Sequence, residues 1–286
     1  MKYCIPSDIA PVDVNGDGLI ERLYVGDVGG QIWRFNLGDM DNNGTASWTG
    51  KVIFTTSGKI FYPPDVTFEN NRGSGTYDML FFGTGDREKP NDTSFVNTLY
   101  AIKDYDNDIN PPTPLPLTES NLVDVTSDVL QDPNASASDK TTVLNSLRTK
   151  SGWYIRLNQG PGESQNPGEK CDGAAVVFGG AAYFTTFTPS PASSVCTLGT
   201  GQGNVYILQY QTGNAIYDLS DLGESLGQKI TVNDRSMGVG GGIPSGIIIT
   251  IIGGTATAYG GVAGGVFSPQ LPTTRSIIPI DWRIVF

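Results

Sequence analysis

Residues 19–37 read LIERLYVGDVGGQIWRFNL. Leu23-Tyr24-Val25 is a short apolar run, Gly26 to Gly30 form a turn, and Gln31 to Leu37 alternate polar with apolar. This pattern predicts a hairpin with a half-buried second strand. The form recurs. Met79 to Asp86 leads, after a polar insert, to Asn97–Ile102, and Ala182–Phe187 leads to Gly203–Gly213. Each unit has an apolar strand, a loop and a strand with an aromatic near its centre. Repeated units of this kind point to an all-β fold, a β-propeller whose small sheets bury their faces on one another. An irregular β-sandwich is the alternative.

The rest of the chain agrees with many short strands. Glycine (37) and proline (18) punctuate 286 residues, and only 16% are charged. Residues 106–150 break the pattern. Their start is polar and proline-rich, and Ser138 to Arg148 predicts a short helix capped by Ser138 or Asp139. The segment is expected to be a surface insertion. The tract GIPSGIIITIIGG (242–254) is far shorter than the ~20 apolar residues of a membrane-spanning helix and is expected to be a buried strand. Residues 276–286 predict a final strand, and Trp33 and Trp282 are expected in the core. No signal peptide is visible at residues 1–6.

Composition excludes several chemistries. The net charge of −11 repels phosphate backbones, which argues against nucleic-acid binding. Histidine is absent, so there is no Ser-His-Asp triad, no imidazole zinc site and no ordinary general base near neutral pH. Cys171 and Cys196 are either a disulfide, as suits an exported protein, or buried free thiols. Cys4 is left over.

The stretch before the first hairpin, DVNGDGLIE (13–21), gathers oxygens. Ca²⁺ takes six to eight oxygen ligands, and a tight loop can aim side chains inward from alternate positions when a glycine permits the turn. Asp13, Asn15 and Asp17 fill the alternate slots. Gly18 is the turn residue, Leu19 offers a carbonyl, and Glu21 offers a late carboxylate. An EF-hand would place a bidentate Glu at position 12, where Tyr24 stands in a strand. The expected site is therefore an EF-like calcium loop in a β context. The alternative is an Asx-rich turn held by its own side chains. Asp39, Asp41 and Asn43 repeat the early slots with fewer carboxylates, as a second ion site or a solvated turn. Asp104, Asp106 and Asp108 also alternate, but Ile109 occupies the glycine slot.

These blocks, with LFFGTGDRE, VVFGGAAYFTTFTP, GNVYILQYQTG and GGGIPSG, resemble the C-terminal β-propeller domain of the PilY1 family, the type IV pilus biogenesis factors and tip adhesins. The resemblance covers nearly the whole chain, residues 1–286. It implies a modified, partial propeller of three to four blades, with residues 106–150 as an insertion carrying a short helix. It also implies that calcium, held by Asp13, Asn15, Asp17, the Leu19 carbonyl and Glu21, helps control pilus extension and retraction. The implied partners are type IV pilus proteins (minor pilins) and another chain supplying the remaining blades or an adhesive region. The implied location is exported, at the pilus tip or bacterial cell surface. Glu21 stands where the family commonly has Asp, and no Arg-Gly-Asp tripeptide occurs.

Two other functions fit parts of the sequence. YVGDVGGQIWRFNL also resembles quinoprotein dehydrogenase blades, but the adjacent cysteines typical of those enzymes are missing. DVNGDG also resembles the calcium loops of FG-GAP propeller repeats, which carry one loop per blade and would make the chain an integrin-like or lectin-like calcium-dependent binding module. A non-enzymatic, calcium-binding pilus component is the expectation.

Overall fold

The computed structural model describes residues 2–38, 47–71, 75–105, 113–157, 166–190, 200–219 and 230–272. Its strands form four sheets, and each sheet uses consecutive strands of the chain. Sheet one is an antiparallel meander of β1 (Ala10–Val12), β2 (Arg22–Gly26), β3 (Gln31–Asn36) and β4 (Thr49–Thr55). Sheet two follows with β5 (Asp65–Asn71), β6 (Gly75–Gly83), β7 (Thr98–Tyr105), β8 (Val123–Asp124) and β9 (Gly152–Arg156). Its order is β5-β6-β7-β9-β8, with β8 parallel to β9.

Sheet three contains β10 (Lys170–Cys171), β11 (Val176–Phe178), β12 (Ala181–Thr188), β13 (Gln202–Gln209) and β14 (Ser236–Gly241). β10 and β11 pair with opposite halves of β12, so they act as one broken strand. Sheet four is the meander β15 (Ile248–Ile252), β16 (Thr255–Val262) and β17 (Gly265–Phe267). The sheets are blade-like, but no closed ring is formed among the described residues. No described helix is long and apolar enough to cross a membrane.

The sheets stack face to face because their central strands are apolar on both sides. Successive residues of a strand point to opposite faces. Leu80 and Phe82 on β6 pack with Ile32 and Phe54 of sheet one. Met79 and Phe81 on the same strand pack with Phe184 and Leu208 of sheet three. β12 repeats this division: Ala182 and Phe184 face sheet two, while Ala181 and Tyr183 face Ile247 and Ala258 of sheet four. Trp153 fills the core between sheets two and three, and its Nε1 donates to the Tyr210 carbonyl at 2.9 Å.

The end sheets lack a second partner among the described residues. On sheet four the outward side chains of the 242–254 tract are open, with Ile248 67% and Ile252 78% exposed. The tract is a strand, as expected, but not a buried one: β15 lies at the edge of the outermost sheet. Trp33 is likewise only half-buried. It points away from sheet two, stacks on Phe35 and donates to Asp27 Oδ2 at 2.9 Å. Trp282 and the predicted strand 276–286 lie outside the described residues.

Within residues 113–150 a helix, α1 (Ala137–Thr149), forms where one was predicted, with a different cap: the Ser136 hydroxyl accepts from the Asp139 amide at 3.1 Å. Lysine side chains can hydrogen-bond the last carbonyls of a helix. Here Lys103 of β7 donates to the carbonyls of Leu147 and Lys150 at 2.7 and 3.1 Å. Leu117, Leu122, Val123 and Val125 from the same stretch are buried in the two central cores.

Candidate metal centre and the comparisons with known proteins

The DVNGDGLIE loop joins β1 to β2. Its two inner glycines have positive φ, +79° at Gly16 and +90° at Gly18, a region that favours glycine and lets the chain curl on itself. Asp13 is the hub. Its Oδ1 accepts from the Gly16 amide at 2.6 Å and its Oδ2 from the Gly18 amide at 2.8 Å. These backbone bonds, Gly18 foremost, hold its carboxyl below the ordinary carboxylate range despite the opposing effect of desolvation. Asp17 Oδ1 accepts from the Leu19 amide at 2.8 Å, and Glu21 Oε2 accepts from the Val14 amide at 2.7 Å, folding the far end of the loop back over its start.

The result brings together Asp13, Asp17 and Glu21, with one oxygen from each within 4.8 Å of the others. Oxygens on opposite sides of a Ca²⁺ ion are roughly 4.6–5.2 Å apart, twice the metal–oxygen distance, so the cluster has the span of one such ion. None of the three carboxylates pairs with a lysine or arginine among the described residues. Three close negative charges repel one another unless a cation is present, so this donor set fits a hard divalent ion. Leu19 is 68% exposed and its carbonyl accepts no hydrogen bond among the described residues. Asn15 is turned differently: its Oδ1 accepts from the Asp17 amide at 2.8 Å and its Nδ2 donates to Asp17 Oδ2 at 3.1 Å.

The other acidic repeats do not form a second cluster among the described residues. Asp39, Asp41 and Asn43 lie outside those residues, as do Asp106 and Asp108. Asp104 is buried and turned inward, accepting from Arg34 Nη1 at 2.8 Å.

Asp104 belongs to a polar junction that the sequence reading missed. Arg22, the residue after Glu21, pairs with Asp78 at 2.5 Å across the interface between sheets one and two. The Tyr24 hydroxyl lies 2.8 Å from Asp78 Oδ2 and 2.7 Å from Asp104 Oδ2. Burial, with the two aspartates beside it, pushes the Tyr24 hydroxyl well above its usual range. The available signal was the two-residue period, which puts Arg22, Tyr24 and Arg34 on the buried face of sheet one.

Cys171 is a free thiol, wholly buried, and burial pushes it up to about 12. Cys196 lies outside the described residues. Cys4 is free and exposed.

No family model matches the chain. Two curated proteins of Xylella fastidiosa (strain Temecula1), both described as type IV pilus biogenesis factor PilY1 homologues, do match it. One is 26% identical over 230 residues, covering 75% of this chain, and the other is 26% identical over 296 aligned positions, covering 97%. The chain is homologous to these two PilY1 homologues. It spans 15% and 22% of the length of those two relatives. Among solved structures, the Pseudomonas aeruginosa PilY1 C-terminal domain superposes with a TM-score of 0.60 at 18% identity, over 91% of this chain and 59% of that one. At that identity the PilY1 domain shares the fold, which agrees with described residues that are mostly β with one α-helix.

Proposed function

We propose that this chain is the calcium-binding part of a PilY1-type pilus biogenesis factor, and that it acts by assembly and adhesion rather than catalysis. The observation that carries the reading is the convergence of Asp13, Asp17 and Glu21 in a chain homologous to two PilY1 homologues. In this reading Asp13, Asp17, Glu21 and the Leu19 carbonyl hold Ca²⁺, with Asn15 joining after a turn of its amide. The partners are pilus proteins, with minor pilins foremost, and a neighbouring polypeptide that covers the open sheet faces. The place of action is the pilus tip or outer cell surface.

The loop also has a route by which occupancy reaches the fold. Calcium neutralises the three charges and stiffens the β1–β2 connection. The next residue, Arg22, ties that connection to Asp78 of sheet two. Metal binding therefore stabilises the junction between two sheets, a linkage of ion to conformation.

The test is thermal unfolding of the chain in calcium and in chelator, for the native sequence, Asp13→Ala and Asp17→Ala. Calcium at a hundred times its dissociation constant stabilises a single site by about 2.7 kcal/mol. The native chain should show a calcium-dependent rise in Tm, and each variant should lose most of it. Equal calcium affinity in the native chain and both variants would refute the ligand assignment.

A further inference from the structure

A second acidic residue, far from the loop, is buried without a partner. Asp172 lies between β10 and β11. It is 3% exposed, yet neither carboxylate oxygen accepts a hydrogen bond among the described residues. An ionised carboxylate removed from water and left unpaired is strongly unfavourable. One neighbouring cation is already used: Lys170 Nζ donates to the carbonyls of Pro90, Gly168 and Asp92 at 2.7, 2.8 and 3.2 Å. Arg87 lies instead across the Tyr62 ring, 5.3 Å from its centroid, and makes no ion pair or hydrogen bond among the described residues.

Asp172 lines an open cleft of about 470 Å³, a size that suits a small ligand or an inserted side chain. Its walls come from successive parts of the stack: Tyr62 from the β4–β5 connection, Arg87 from the β6–β7 loop, Ile243 and Pro244 from the β14–β15 loop, and Val262 from the end of β16. The backbone is drawn tightly together here. A Cβ at Gly173 would lie 2.2 Å from Thr185 Oγ1 and 3.1 Å from Gly246 Cα. Glycine at 173 thus lets the β14–β15 loop approach the chain beside Asp172. Loops held by a rigid scaffold are where binding residues concentrate.

We infer that this cleft receives a primary ammonium group on an alkyl stem, such as a lysine side chain of a partner polypeptide, with Asp172 as its acceptor. The aromatic and aliphatic walls suit the stem, and the unpaired oxygens suit the charge. A divalent metal is disfavoured because the cleft supplies one carboxylate, and among the described residues only the 13–21 loop gathers three. An anion would meet Asp172. A compact ammonium reaches a recessed carboxylate more readily than the wider, forked guanidinium. Burial pushes Asp172 up to about 6 against the pull of Lys170 and Arg87, so it is largely ionised at pH 7.5. The other titratable neighbours, Tyr62 and Cys171, are both pushed up to about 12 and stay neutral there. Glu169 is turned to Thr186 and Asn204. The inference does not depend on calcium at the loop.

The test is ligand-observed NMR titration of the full chain in chelator with Nα-acetyl-lysine methylamide, and with its neutral isostere Nα-acetyl-norleucine methylamide. The lysine probe should bind at pH 7.5, at least about tenfold tighter than the isostere. It should weaken at pH 5 as Asp172 takes up a proton, and weaken at least about tenfold in Asp172→Asn. Val262→Trp, which fills the cleft and leaves Asp172 in place, should also abolish binding. Equal binding of the two probes, undiminished binding in either folded variant, or no binding at about 10 mM probe, near the weak end of measurable affinities, would overturn the proposal. Tighter binding of the corresponding arginine probe would overturn the ammonium assignment.

Discussion

Replacing Asp172 by Asn should make the protein more stable at neutral pH and not in acid. In the folded chain burial raises this carboxyl from an ordinary 3.8 to about 6. A shift of one unit corresponds to about 1.4 kcal/mol, so ionisation costs the fold about 3 kcal/mol. The sign follows from proton linkage. Folded Asp172 holds its proton more tightly than unfolded Asp172, so the associated stability is fully present below pH ~4. It is lost as pH rises through about 6. The amide introduced by Asp172→Asn would carry no charge but would itself be buried and need partners, at a cost of about 1 kcal/mol. The expected net effect is therefore a gain of about 2 kcal/mol at pH 7.5 and a loss of about 1 kcal/mol at pH 3.5. Urea denaturation of both proteins, in chelator at the two pH values, measures the difference directly. A variant that is less stable at pH 7.5, or equally shifted at both pH values, would show that Asp172 is not a buried, unpaired charge. A residue that costs stability where it stands is a common mark of a binding site.

Other positions test the frame around the two sites. Arg34→Met should cost about 3–5 kcal/mol in equilibrium unfolding, because it leaves the buried Asp104 carboxylate without its cation. Adding Asp104→Leu should recover much of that loss. Gly152→Ala should be destabilising by about 2 kcal/mol or more, since its φ is +131° and the new Cβ would sit 2.0 Å from the Ala101 carbonyl oxygen. Calorimetry should show that as a lowered Tm. Ser136→Ala should cost about 1 kcal/mol and speed amide exchange in the first turn of α1, with the sheets unaffected.

Short-range pattern carried much of the architecture. The runs at 19–37, 79–102 and 182–213 are hairpins of sheets one, two and three because period-two apolarity and turn glycines act over a few residues. The DVNGDGLIE spacing also acts locally, and its acids do converge. Longer-range pairing was not legible. Nothing near Val123 announces that it runs parallel to β9, and nothing near Lys170 announces that it and Val176 share one partner strand. Trp33 was expected inside because its strand alternates. Alternation says that a face exists, and only the stacking order says which face is covered. Asp172 was invisible for the same reason: its isolation depends on where Lys170 and Arg87 spend their charges.

The Arg22–Asp78 and Arg34–Asp104 pairs bear on how β6 and β7 find their alignment. In most sheets a slip of one residue turns apolar side chains out into water, and that penalty fixes the pairing. Here both faces of β6 are apolar, so a slip would exchange Leu80 and Phe82 for Met79 and Phe81 at little hydrophobic loss. What forbids it is the buried charge on each strand, Asp78 on β6 and Asp104 beside Lys103 on β7. A slipped Asp78 would face the Trp153 core without Arg22 or Tyr24, and a slipped Asp104 would lose Arg34. The two aspartates are the keying of an otherwise symmetrical plug, and they let an apolar sandwich filling fit in one orientation only.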